Sequence, residues 1–365
     1  MSKAAQLAAL IGSGQAQGDK NLIINGAMQV AQRGTSATGV GASDNVYPCV
    51  DRIKVFAGNT AGRATMSQAT DVHDGFSNAL KFECTTADTS IAAGEYFGFK
   101  YEFEGQDLQQ LKKGTSEAES ITLSFYVKGN AGATYTVEFK DNDNNRINTQ
   151  TFAVTTSWNR VSLTLAPDTT GALDDDNASS FQFSIWLHAG STYTSGTFAN
   201  NTWAARTNGN RVSSSQTSFF DSTSRTFFIT GIQLEVGDVA TPFEHRSFGD
   251  ELARCQRYFT RIPRIDGSSA NTEIANGMGN ATNNFLGVIS FPTEMRANPT
   301  LTASGSFRVF NGGTLNPTAG PSRSSSSTVG TGISVSTGAG ISTKDALLLT
   351  LNNDSDANLQ FSAEL

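Results

Sequence analysis

Histidine, cysteine and tryptophan are scarce: the 365-residue chain has three of each. Cys49, Cys84 and Cys255 are odd in number, and their spacing fits no zinc motif. That excludes a disulfide scaffold and a zinc ribbon. Cys49 and Cys84 could pair only if their strands are neighbours, and the reading taken is three buried free thiols in a reducing compartment. With so few histidines, catalytic motifs are missing too. There is no HExxH, no GxSxG and no glycine loop that cradles phosphate. Basic charge is in deficit, with 26 Lys and Arg against 33 Asp and Glu and a net charge of −7. A nucleic-acid binder would show a basic face, so that class is excluded. No run reaches the roughly 20 apolar residues that cross a bilayer, so no membrane insertion is expected. The opening "MSKAAQLAALIGSGQAQG" has one basic residue and a short apolar run, a poor secretion signal.

What is present is alternation. Ile121, Leu123, Phe125 and Val127 share one parity, as do Tyr135, Val137 and Phe139. Phe152 and Val154, then Val161, Leu163 and Leu165, repeat it. Phe181, Phe183, Ile185 and Leu187 follow, and Phe228, Thr230, Ile232, Leu234 and Val236 close the series. Period-two burial of this kind makes strands with one face on a core. Earlier strands are expected near 50–57, 62–69, 78–85 and 95–104. About ten short strands with turn-rich connections predict a mainly β chain built on an antiparallel two-sheet jelly-roll sandwich. The apolar segment 21–31 is expected to pair with 226–236 and seal it.

The expected organisation is a short N-terminal helix and linker over 1–20, the sandwich over 21–245, a linking helix over 246–262 and a smaller β domain over 263–365. Ser247 with Asp250 reads as a capping box. Phe248, Leu252, Cys255 and Phe259 fall on one helical stripe. That stripe packs either on its own domain or at a subunit interface, and Leu7 and Ile11 of the first helix are candidates for the same interface. Within the last domain, "GGTLNPTAGPSRSSSSTVGTG" reads as an exposed loop.

Three stretches invite a chemical reading. His73, between Asp71 and Asp74, could face a cation, though a solvated turn is the simpler account. "DNDNNRINTQTF" opens like a calcium loop but has Arg146 where glycine is needed and Phe152 where a bidentate glutamate is needed, so it reads as a hairpin. The stretch 188–211 is long and rich in Ser, Thr, Asn and Gly. In it Tyr193, Asn201, Trp203 and Arg206 form a candidate glycan site: rings stack on the C–H faces of sugars while amides and guanidinium bind hydroxyls. The competing reading makes Trp203 an anchor for the loop.

Two motifs carry a resemblance. "NLIINGAMQVAQRGTS" with "DRIKV" resembles the opening of a domain common in bacteriophage tail-fibre and appendage proteins. "ITGIQLEVGDVATPFEHRSFGDELARCQRYF" resembles its close, and "ITLSFYVKGNAGATYTVEF" with "TTSWNRVSLTL" resembles its middle. The same domain is similar to carbohydrate-binding jelly rolls of secreted enzymes, and "MSKAAQLAALIGSG" resembles the leader by which such fibres join the virion. The resemblance covers about 21–260. It implies a non-enzymatic, homotrimeric virion structural protein that mediates host attachment by binding a surface glycan or protein. It further implies synthesis in the host cytoplasm and release by lysis, contact with other virion proteins through the N-terminus, and no cofactor beyond a structural calcium whose ligands do not map here. An architectural adaptor or decoration protein and a polysaccharide depolymerase are the alternatives.

Overall fold

The computed structural model describes residues 20–263, 271–315, 317–338 and 340–365. Leu7 and Ile11 lie outside the described residues, as does the expected N-terminal helix. The chain is mainly β and divides into two compact units.

Among the described residues, the first unit comprises 20–29, 36–48 and 53–246. Its strands, in order, are β1 (Ser36–Ala42), β2 (Asn45–Val46), β3 (Lys54–Gly58), β4 (Thr60–Ala69), β5 (Ala79–Thr86), β6 (Tyr96–Glu104) and β7 (Ile121–Gly129). β8 (Ala133–Asp141), β9 (Arg146–Val154), β10 (Asn159–Leu165), β11 (Ser179–Ala189), β12 (Ala204–Ala205) and β13 (Thr226–Val236) follow. One sheet runs β1-β4-β5-β13-β7-β10, and the other runs β12-β9-β8-β11-β6-β3-β2. Every ladder between these strands is antiparallel, as the jelly-roll reading requires. The alternating aromatics make the core between the sheets. Phe82 of β5 stacks on Phe99 of β6 at 5.6 Å, and Phe125 of β7 meets the edge of Phe152 of β9 at 5.1 Å. Burying each phenylalanine fully contributes roughly 1.5–3 kcal/mol, so this aromatic layer is a large part of the unit's stabilising core.

The segment 21–31 corrects an expectation, because it forms no strand. Residues 21–26 lie along β13 as irregular chain, tied by Leu22 N to Leu234 O at 2.9 Å and Ile232 N to Gly26 O at 2.9 Å. The Asn21 side chain substitutes for a ladder, accepting from Leu234 N at 3.1 Å and donating to Ile232 O at 3.1 Å. Asn25 and Met28 both have positive φ, 63° and 57°, which breaks the extended run. The 142–145 turn joins β8 and β9 as a hairpin, with Asn145 left-handed at φ 50°. Near His73, the Asp71 carboxylate is held by Lys128 at 2.6 and 2.7 Å, while the His73 ring packs 4.0 Å from Tyr126.

The second unit comprises 30–35, 49–52 and 247–365. Its helix spans Phe248–Gln256, with Ser247 Oγ accepting from Asp250 N at 3.2 Å and donating to the Asp250 carboxylate at 2.7 Å. The helix is therefore shorter than 246–262. Phe259 opens β14 (Phe259–Ile262), because the Thr-Arg-Ile that follows pairs with the chain's last strand, Asn358–Ser362. Phe259 is buried there, Leu252 is half-buried, and Phe248 remains 48% exposed. The "SRSSS" of Ser322–Ser326 is also not a loop: it is an exposed edge strand paired with Gly330–Ser336. Backbone bonds alone suffice at a sheet edge, so the polar composition concealed it. Phe285, Val309, Ile333, Val335, Leu347, Leu349, Leu359 and Phe361 form this unit's core. Cys49, Cys84 and Cys255 are buried and form no disulfide.

Candidate functional site

Strand parity decides what the β12-to-β2 sheet shows on its outer face. Phe181, Phe183 and Ile185 of β11 point into the core, so Gln182, Ser184 and Trp186 point out. On β6 the same rule buries Phe97, Phe99 and Tyr101 and turns Tyr96, Gly98, Lys100 and Glu102 outward. The ladders align these residues in rows. Phe56, Gly98, Trp186 and Thr136 form one row across β3, β6, β11 and β8. Lys54, Lys100, Ser184 and Glu138 form the next, and Glu102, Gln182 and Lys140 the third.

Over these rows lies a cleft of about 570 Å³. One end is aromatic. Trp186 sits 5.1 Å from Phe56, 5.9 Å from Tyr96 and 5.3 Å from Tyr193, ring centre to ring centre. Phe56 lies over Gly98, and Tyr96 lies over Gly58. A Cβ at either glycine would run into the ring above it, so small residues let these rings lie against the backbone.

The other end is charged. Arg211 donates from Nε to Glu138 Oε1 at 2.6 Å and from Nη2 to Oε2 at 2.8 Å, while its guanidinium lies 4.6 Å from the Trp186 ring centre. Trp186 Nε1 donates to the same carboxylate at 3.0 Å. Lys100 and Lys54 both reach Glu102, at 3.0 and 3.2 Å. Lys140 and Arg206 complete the lining. Among the described residues neither is in an ion pair, and Arg206 Nε is buried without a hydrogen-bond partner. Burial, then the Arg206 charge, lowers the pKa of Lys140; burial, then Arg211, lowers that of Arg206. Positive charge is thus gathered beyond what Glu102 and Glu138 neutralise. Burial would raise the Glu102 carboxyl, but the Lys100 and Lys54 charges outweigh it and hold it below the ordinary range.

Of the residues singled out from sequence, Tyr193 and Arg206 line this cleft, brought there by the 190–211 excursion after β11. Trp203 and Asn201 do not. Trp203 donates from Nε1 to Ala166 O at 2.9 Å and lies 6.3 Å from Phe181, which makes it the loop's anchor. Asn201 is exposed, with φ 48°, and accepts from Gln150 at 3.2 Å. Phe56, Tyr96, Lys100, Lys140, Trp186 and Arg211 were not singled out. For Trp186 the signal was available: it is the one tryptophan on the outward parity of an otherwise inward-alternating strand.

No family model matches the chain, and no curated protein does. Among solved structures it is similar to a carbohydrate-binding module described as "CBM4 structure and function", at 15% identity and TM-score 0.30, over 58% of this chain and 97% of that one. It is also similar to the enzymatically active domain of tailspike protein 4 of bacteriophage CBA120, at 11% identity and TM-score 0.31, over 60% of this chain and 21% of that one. A third is the family 11 carbohydrate-binding module of a Clostridium thermocellum cellulosomal cellulase, at 13% identity and TM-score 0.27, over 56% and 95%. Likenesses this low carry no argument about ligand or role. What this chain's own residues establish is a jelly-roll β-sandwich whose outer face holds an aromatic and cationic cleft.

Proposed function

We propose that the first unit binds a host surface glycan in this cleft, and that the sugar is acidic, bearing carboxylate, phosphate or sulfate. The observation that carries the reading is the pairing of a ring platform with two unneutralised cations. Phe56, Tyr96 and Tyr193 offer stacking surface, Gln182 and Ser184 offer hydrogen bonds, and Lys140 and Arg206 offer charge. The floor carboxylates Glu102 and Glu138 are committed to ion pairs, which supports binding over glycosidic cleavage, since cleavage needs one carboxyl free to protonate and one to attack.

The sequence resemblance to phage appendage proteins supports placing this binding module on a virion, as a homotrimeric attachment protein. Three copies on each fibre would turn a weak single site into firm adhesion. The test is calorimetric titration of the whole chain with acidic and neutral oligosaccharides, beside light scattering for mass. Saturable binding of an acidic sugar, weakened by Tyr193→Ala, is expected. Failure of every acidic oligosaccharide to bind, or equal binding by the Tyr193→Ala variant, would overturn the glycan reading. A monomeric mass would overturn the trimer.

A further inference from the structure

We infer that Asp88, Glu95 and His188 form a binding site for one divalent transition-metal ion of the zinc type. The three side chains come from separate places: the loop after β5, the residue before β6, and the end of β11. Their ligand atoms all lie within 4.8 Å of one another. The placement of His188 is built by a bulge. Trp186 pairs with Gly98 and His188 with Phe97, so two steps on β11 answer one on β6. Without that slip, parity would put His188 on the cleft face beside Trp186. With it, the imidazole turns inward with Phe97 and packs 5.4 Å from Phe220.

The second observation concerns the ring's own nitrogens. His188 is fully buried, and its Nδ1 is 2.8 Å from Ser218 Oγ. Its Nε2 has no hydrogen-bond partner, yet it faces the Glu95 carboxylate at 3.9 Å. A buried nitrogen without a hydrogen bond, 3.9 Å from one carboxylate and clustered with a second, leaves room for a cation among the three groups. Tetrahedral ligation with bonds of about 2.0–2.2 Å separates neighbouring ligand atoms by about 3.3–3.6 Å, so the three groups close in by about 1 Å when the ion binds.

The surrounding bonds are those that orient ligands. Asp88 Oδ2 accepts from Thr60 Oγ1 at 2.8 Å and Ala61 N at 2.9 Å, and Glu95 Oε2 accepts from Ala92 N at 2.8 Å. One imidazole with two carboxylates suits zinc, cobalt or manganese better than calcium, which takes six to eight oxygens. The ion would also tie the 88–95 loop to the end of β11, directly behind Tyr96 and Tyr193 of the cleft.

The test is calorimetric titration of metal-free whole chain with Zn²⁺ alone and, separately, Ca²⁺ alone, with Co²⁺ absorption as a coordination probe. One equivalent of Zn²⁺ is expected to bind with micromolar or tighter Kd, to raise the unfolding midpoint, and to outcompete Ca²⁺. Glu95→Gln, nearly isosteric, and His188→Gln should each weaken binding at least 100-fold. Absence of stoichiometric Zn²⁺ binding below about 100 µM would overturn the site, leaving a proton as the occupant. So would binding unchanged in Glu95→Gln, which is the decisive variant if His188→Gln does not fold.

Discussion

Arg211 spans the two oxygens of Glu138 with parallel donors at 2.6 and 2.8 Å, and Glu138 is fully buried beneath it. The pair closes the charged end of the cleft over Trp186. Removing Arg211 leaves a buried carboxylate with only the indole N–H and sheet neighbours. Breaking such a pair from one side costs about 3–5 kcal/mol. Arg211→Ala should therefore lower the urea midpoint of the first unit by that equivalent. A loss under about 1 kcal/mol would show that water reaches Glu138.

Lys140 and Arg206 are expected to act on binding and hardly on folding, since neither anchors an ion pair. Lys140→Ala and Arg206→Ala should each weaken an acidic oligosaccharide about tenfold, leave a neutral one unchanged, and flatten the salt dependence of binding. Equal losses for acidic and neutral sugars would mean that the cations only shape the cleft.

The two units should respond differently to acid. Burial lifts the Asp51 carboxyl of the second unit to about 6 from 3.8, against the opposing pull of Arg33 and Gln32. A raised folded value means that the native state keeps a proton which the unfolded chain has lost. The stability it contributes is full below about 4 and is lost as pH rises to about 6. At about 1.4 kcal/mol per unit, that amounts to about 3 kcal/mol. Trp158, Trp186 and Trp203 all lie in the first unit, so fluorescence follows that unit, and the calorimetric transition that fluorescence does not follow belongs to the second. Asp51→Asn should flatten the calorimetric slope between pH 4 and 6. A slope identical to wild type would rule out Asp51 as its source.

The sandwich was readable in the sequence because strands such as β7, β8 and β11 place an apolar residue at every second position. Phe181, Phe183 and Ile185 leave no other phase. The same parity turns Trp186 to the outer face, where Phe56, Tyr96, Tyr193 and Arg211 cover it, so part of the cleft was legible in the alternate residues. Charge pairing was not readable, since Glu138 meets Arg211 across 73 positions of sequence. Nor was His188: a bulge changes the parity rule for one residue, and nothing local marks it. Asn21 and Gly26 show the reverse failure. Their apolar neighbours suggested a strand, while positive φ at Asn25 and Met28 forbids one.

Gly26 gives the sharpest test of how that first segment seals the sandwich. Its amide plane lies against β13, its carbonyl accepts from Ile232 N at 2.9 Å, and a Cβ placed there would overlap the Ile232 carbonyl oxygen. The obstacle is backbone, the Ile232 carbonyl in the bulge between Thr230 and Gln233 where β13 pairs with neither β5 nor β7, and not the far end of a flexible side chain. Gly26→Ala must push the segment off β13, stretching the Leu22–Leu234 bond and the two Asn21 bonds beside it. Overpacking of this kind costs about 1–3 kcal/mol. Hydrogen exchange at the Leu22, Ile232 and Leu234 amides should quicken before global unfolding does. If Gly26→Ala were as stable as wild type and these amides stayed protected, the segment would not be docked as described, and the seal along β13 would have to come from the sheet alone.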